Sequence, residues 1–262
     1  MSGAAFDPGF GVRWDLDAMA FRYATGTFGP GMEIRRLDDI RQTLLDSTAT
    51  GPERVYAIAM DMGQEEDRGL LLSENLLFGA CIYASGRIGR EPVRSQGHIH
   101  AVSASCSSST PELYEIWQGE AIIVMQPGAD EQTPLAYAVR CGVGDKVIVP
   151  PGWAHYTLNA DPEHEMVFGA WCVRDYGFDY ADVRRMRGLA YYPLLNQDGG
   201  VGFVRNPAYH STPLVEKAPG DLARFRIPFG QPMYPLLRAP DKPLDFVARP
   251  ALHPDLWVDC VP

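Results

Sequence analysis

Apolar positions along this chain fall into short runs rather than long periodic segments. VYAIAMDM (55–62), LLFGACIYAS (76–85), ELYEIW (112–117), AIIVMQ (121–126), LAYAVR (135–140), KVIVP (146–150) and EMVFGAWCV (165–173) are continuous or alternating in hydrophobicity. Turn residues separate them, at Gln118-Gly119, Pro127-Gly128, 142–145 and Pro150-Pro151-Gly152. Because successive side chains of a strand point to opposite faces, runs of this length and spacing predict strands. Many short strands in succession predict an antiparallel sandwich or barrel, of which the jelly roll is one form. One stretch breaks the pattern: Ile34, Leu37, Ile40 and Leu44 recur at helical spacing, so residues 31–47 predict a short amphipathic helix.

The character changes again beyond residue 206, where half of the 22 prolines lie. Proline donates no ladder hydrogen bond, so this tail cannot build central strands. It carries Phe225, Tyr234, Leu236, Phe246 and Trp257, which predicts that it wraps over the barrel or a second subunit. The chain therefore divides into an N-terminal extension with a short helix (1–50), a β domain (51–206) and a proline-rich extension (207–262).

Composition and charge narrow the classes of function. A formal net charge of −10, with no basic run among aromatic residues, argues against nucleic acid as a partner. No stretch has the length and apolarity of a membrane span, and the N-terminus lacks a basic segment followed by an apolar one, so a cytoplasmic protein is expected. The five cysteines form no C-x-x-C pair, which predicts reduced thiols. Arg87, Arg90 and Arg94 are the cations nearest in sequence to the histidines described next, and would be available to an anionic substrate.

His98 and His100 alternate, so on a strand they share a face and can grip one ion. Downstream, GDKVIVPPGWAHYTLN (144–159) reads G-x5-P-x-G-x2-H-x3-N, with His155 in the histidine position. This resembles the second signature motif of the cupin superfamily, in which a Pro-x-Gly turn delivers a histidine to a metal. The first cupin motif ends in E-x6-G; Glu112 and Gly119 have that spacing and Glu115 does not. The resemblance thus implies the ligand set His98, His100, Glu112 and His155; Glu115 and Glu120 are read, as carboxylates usually are, as solvated on the sheet. Three imidazoles and a carboxylate suit one divalent first-row ion such as Fe, Mn, Ni, Co or Zn, and not the oxygen cage of calcium. His164, His210 and His253 are read as surface or packing residues.

Within the cupins, GHIH (97–100), ELY (112–114), VPPGWAHYTLN (149–159) and YGFDY (176–180) resemble the cupin-type glucose-6-phosphate isomerase family. That family reads G-H-x-H, E-x-Y, P-P-x-W-A-H-x-T-x-N and G-H-D-Y. The resemblance runs from about residue 55 to about 208 and implies a double-stranded β-helix, the all-β cupin jelly roll. It further implies a metal-dependent aldose–ketose isomerase acting on glucose 6-phosphate, fructose 6-phosphate or a related sugar phosphate, in a homodimer. Glu112 would be ligand and, if a proton passes through an enediol rather than a hydride shifting directly, base; Tyr114 and Tyr180 would orient the sugar; Ser95 and Gly97 would line its site. Four departures stand out: Phe178 replaces the histidine of G-H-D-Y, Cys172 and Cys81 fall where the family has a tyrosine and a threonine, and eleven residues separate His100 from Glu112, more than in the family. They keep open a cupin acting on another sugar derivative, a cupin dioxygenase and a non-catalytic sugar-binding cupin.

Overall fold

Leu76–Tyr83 and Met166–Val173 are buried almost without interruption because the sheet that contains them is covered on both faces. The computed structural model describes residues 6–260. Its larger sheet has six antiparallel strands in the order Lys146–Val149, Glu112–Gln118, Met166–Val173, Leu76–Tyr83, Arg54–Met60 and Glu33–Arg36. A second sheet has the order Trp153–Asn159, Ala121–Pro127, Ala136–Cys141 and Leu214–Lys217. The chain passes between the two sheets as it runs from residue 112 to 173, and this wrap is the jelly-roll arrangement expected.

Between the sheets, Tyr114, Ile116, Val147 and Ala170 meet Ile123, Met125, Val139 and Cys141. On the outer face of the large sheet, Phe78, Trp117 and Trp171 are covered by Phe10, Phe21 and Phe28 from the N-terminal segment and by Met233, Tyr234 and Phe246 from the tail. Here Gly169 is required for close approach: a Cβ on it would lie 2.2 Å from Trp117 Cζ2. Trp171 Nε1 donates to Met233 O at 3.1 Å, so the tail is joined to the sheet by polar as well as apolar contact. The outer face of the small sheet, with Ile122, Val124, Tyr156 and Leu158, packs on Val183, Leu189 and Val201.

Three expectations need correction. The predicted helix over 31–47 is an edge strand, Glu33–Arg36, followed by one turn of helix, Leu37–Ile40, and a 3-10 turn, Arg41–Thr43. Leu37, Ile40 and Leu44 are buried as their spacing predicts. The segment before them instead satisfies its backbone against Arg54–Met60, pairing Ile34 with Ala57 and Arg35 with Tyr56. Second, Glu115 is not solvated: it is 0% exposed, with Lys146 Nζ at 3.1 Å and hydrogen bonds from Trp117 Nε1 (3.1 Å) and the Met233 amide (3.0 Å). Burial under the tail pushes its carboxyl up, with Lys146 opposing. Third, Arg94 is 1% exposed and bound to Glu91 at 2.7 Å and to Ser95 O at 2.9 Å, so it does not join the exposed Arg87 and Arg90 in a cationic cluster. The tail does contribute Leu214–Lys217, at the edge of the small sheet and parallel to Ala136–Cys141.

Candidate metal centre

Four elements deliver the histidines and the glutamate to one point inside the barrel. Gly97 takes φ +89°, a left-handed conformation open to glycine, and a Cβ there would lie 3.1 Å from Leu189 and 3.2 Å from His155 O. This lets His98 turn against His155, each amide donating to the other's carbonyl at 3.0 and 2.9 Å. His100 lies on the short strand Ile99–His100, paired with Phe178–Asp179. Glu112 opens the strand Glu112–Gln118 opposite Val149. One candidate donor atom from each of His98, His100, Glu112 and His155 lies within 4.8 Å of the others. The other histidines lie elsewhere, His164 beside Asp161, His210 near Glu131 and His253 beside Asp245.

The tautomers can be read from the hydrogen bonds. His100 Nδ1 is 2.9 Å from Thr110 O and His155 Nδ1 is 3.2 Å from Trp153 O; a carbonyl can only accept, so both Nδ1 atoms carry the proton. In the neutral imidazole, the form a metal ligand requires, each Nε2 then presents a lone pair. Glu112 Oε2 lies 3.2 Å from His100 Nε2 and 3.3 Å from His155 Nε2. Lone pairs converging on a carboxylate oxygen repel unless a cation joins them. Among the described residues, the buried side-chain N and O atoms without any hydrogen-bond partner are His98 Nε2, His100 Nε2 and Arg35 Nε. Burial and the imidazoles of His155 and His100 hold His98 well below the ordinary histidine value, leaving it neutral as a ligand must be. Neutral nitrogen donors and one carboxylate fit a first-row divalent ion.

Around these four, Tyr114 Oη donates to Glu112 Oε2 at 2.8 Å, and burial together with the Glu112 charge pushes its phenol well above the usual value. The Cys172 thiol points at Glu112 Oε1 at 3.4 Å. Phe178 lies with its ring 4.4 Å from that of His98, and the Tyr180 ring is 6.0 Å away, backed by Arg184. Ser95 is buried, and its Oγ accepts from the Thr157 amide at 3.2 Å, so its hydroxyl is committed to the backbone. Cys81 lies on the inner face, in register with Ile58 and Phe168.

The serine-rich stretch between His100 and Glu112 is tied down rather than free. Asp175 accepts from Ser103 Oγ (2.9 Å), Ser105 N (3.0 Å), Ser105 Oγ (2.9 Å) and Asn75 Nδ2 (3.1 Å). Ser109 Oγ donates to His100 O at 2.8 Å and accepts from Gly152 N at 2.9 Å, linking the loop to the turn that carries His155. Sequence reasoning missed Thr110, Ser109 and Asp175, because their roles depend on which distant segments meet. It also missed Arg35, on the inner face of the edge strand.

With this geometry in hand, comparisons with known proteins place the chain. The sequence profile of the glucose-6-phosphate isomerase family matches residues 36–212. A glucose-6-phosphate isomerase of Thermococcus kodakarensis is 32% identical over 186 residues, covering 67% of this chain and 86% of that protein. That of Thermococcus gammatolerans is 30% identical, covering 76% and 96%, and that of Pyrococcus furiosus is 28% identical, covering 76% and 96%. Among solved structures, an oxalate oxidase at 18% identity covers 40% of this chain and 45% of its own, with a TM-score of 0.30. Matched over more than half of its length by the family profile, and along most of the length of these relatives, the chain belongs to the glucose-6-phosphate isomerase family.

Proposed function

We propose that the protein interconverts glucose 6-phosphate and fructose 6-phosphate as a metal-dependent aldose–ketose isomerase of the cupin type. The observation that carries this reading is the convergence of His98, His100, His155 and Glu112, two of whose buried nitrogens have no other partner, in a chain of this family. His98, His100, His155 and Glu112 would hold a divalent ion, which when bound would supply Lewis-acid polarisation of the sugar. The protein's own groups then move the proton. Glu112 Oε2 faces the imidazoles, whereas Oε1 faces only the weak Cys172 thiol donor and keeps a lone pair for the substrate. In the aldose-to-ketose direction Oε1 takes the proton from C2 and returns it to C1, while the C2 hydroxyl proton passes to the carbonyl oxygen. The reaction is an internal transfer, with no net oxidant or reductant.

Tyr114 holds Glu112 in orientation through its 2.8 Å hydrogen bond, and the Tyr180 ring at the mouth orients the sugar. Gly97 and Ser95 shape the wall behind His98. Phe178 excludes water from one side of His98, where a histidine could have bonded a sugar oxygen. This position and Cys172 favour a second reading, the same isomerisation on a different sugar phosphate. Following conversion of glucose 6-phosphate, mannose 6-phosphate and unphosphorylated glucose by NMR distinguishes the two. Turnover of glucose 6-phosphate above the others supports the first reading, and preference for another phosphorylated aldose supports the second.

Residues 51–206 form the catalytic unit in this reading, with the described parts of the two extensions, 6–50 and 207–260, as its cover. No helix among the described residues is long and apolar enough to cross a membrane. We place the enzyme in the cytoplasm as a homodimer, for which light scattering of the purified protein should return twice the 28.9 kDa chain mass.

A further inference from the structure

We propose that Arg35 is the anion anchor of the substrate pocket, binding the phosphate end of a sugar whose other end meets the metal centre. Its position follows from register. Arg35 pairs with Tyr56, which pairs with Tyr83, and these side chains lie on the inner face of the large sheet; Glu33, two residues back, pairs with Ile58 and then Cys81 on the same face. Cys81 lies mid-strand on that inner face and remains partly exposed, as do Met60 beside it and Arg35 itself. Partly exposed side chains thus stand on the inner face between the edge strand and the histidines.

Arg35 is also the odd group in the hydrogen-bond inventory. Its Nη2 is held by Glu33 at 2.7 Å, but its buried Nε has no acceptor. The only other buried side-chain N or O atoms so left, among the described residues, are the two imidazole nitrogens of the metal centre. Leaving a buried donor of a charged group unpaired is costly, so an orphan of this kind marks a side chain with room for a ligand atom. A guanidinium has five N–H groups, and Glu33 uses only part of that capacity while fixing the side chain in place.

The chemistry fits a phosphate monoester. Planar guanidinium forks bind phosphate oxygens with charge-assisted hydrogen bonds; among the other arginines near the site, Arg94 is consumed by Glu91, Arg184 lies over the Tyr180 ring and donates to Gln96, and Arg87 and Arg90 are exposed on a different turn. The position of Arg35 on a strand, rather than a loop, gives the anion end a fixed distance from the metal end. A sugar phosphate is thereby selected over the free sugar by one residue outside the metal motifs. The choice of sugar phosphate as ligand rests on the isomerase reading above.

The test compares metal-loaded wild type with Arg35→Met and Arg35→Lys, measuring binding of fructose 6-phosphate and of fructose by calorimetry, with inorganic phosphate as a competitor on the wild type. Loss of a charge-assisted contact predicts that Arg35→Met weakens fructose 6-phosphate binding about 10- to 100-fold while fructose binding, metal content and melting temperature stay unchanged. Arg35→Lys should restore part of the loss, and inorganic phosphate should compete in the wild type. Equal weakening of both sugars, no weakening, or a wild type indifferent to the phosphate group would overturn the assignment. Arg35-dependent binding without turnover would instead refute the isomerase reading and leave the anchor standing. Turnover with an unchanged KM in Arg35→Met would do the reverse.

Discussion

At the scale of single residues, two glutamates three positions apart on one strand have opposite employment. Glu112 faces the imidazoles, whereas Glu115, on the other face, is closed in by Lys146, Trp117 and the tail backbone at Met233. Glu112→Gln removes a charged ligand and is expected to abolish stoichiometric metal retention while leaving the fold intact. Glu115→Gln leaves Lys146 buried without its counter-charge and is expected to cost a few kcal/mol, on the order of 3, with the metal retained. Metal content by elemental analysis and melting curves of both variants check this, and equal metal loss in the two would show that the ligand assignment is wrong. That Glu112 stands beside the histidines was legible because motif spacing is a local property. The burial of Glu115 was not, since the group that buries it arrives from residue 233, more than a hundred positions away in the chain.

At the scale of elements, the stretch from 101 to 111 illustrates how a long connection can serve a site. Asp175 gathers Ser103, Ser105 and Asn75, and the loop so pinned presents Thr110 O to His100 Nδ1 and Ser109 Oγ to the Gly152 turn. Burial works against the Asp175 charge, but the hydrogen bonds from Ser105, Ser103 and Asn75 outweigh it and hold the carboxyl at about 2. Because this folded-state value lies below the unfolded one of 3.8, the contribution to stability is complete above 3.8 and is lost as pH falls through about 2. The loop should therefore stay protected from hydrogen exchange down to about pH 4. Asp175→Asn should raise exchange across 101–111 and, by loosening the loop that holds Thr110 O against His100, weaken metal affinity by less than the roughly tenfold loss expected when a direct partner of a ligating histidine is removed. Unchanged exchange in that variant would mean that the loop holds itself.

Strands with plain alternation or continuous apolarity were readable, since their pattern reflects the faces they bury. Trp153–Asn159 was recognised by its motif and not as a strand, because its polar residues His155, Thr157 and Asn159 alternate on the face that serves the site. The misread segment at 31–47 shows the opposite failure. Helical spacing of three residues was real, but a free ladder edge at Arg54–Met60 drew the residues before them into the sheet.

At the scale of the molecule, the parts outside the barrel motifs complete its core. The large sheet presents Phe78, Trp117 and Trp171 outward, and the N-terminal segment and the proline-rich tail together cover them. Prolines keep the tail from competing for the central ladder while it supplies Tyr234, whose ring stacks on Trp171 at 5.6 Å, and Phe246, which is 2% exposed. Truncating Phe246 to Ala should cost about 3–5 kcal/mol, lowering the melting temperature with metal stoichiometry unchanged in the folded fraction. A negligible change would show that the tail only rests on the sheet. That the tail wraps over something followed from its aromatic residues; which face it covers depends on the sheet's uninterrupted burial, and only the assembled fold reveals it.

The most direct measurement is fructose 6-phosphate turnover by the purified protein before chelation, after chelation, and after reloading with one divalent first-row metal at a time. The four-residue centre predicts turnover that is lost with the metal and recovered on reloading, and that does not recover in Glu112→Gln. Turnover that survives complete metal removal, or none with any loaded metal, would contradict it.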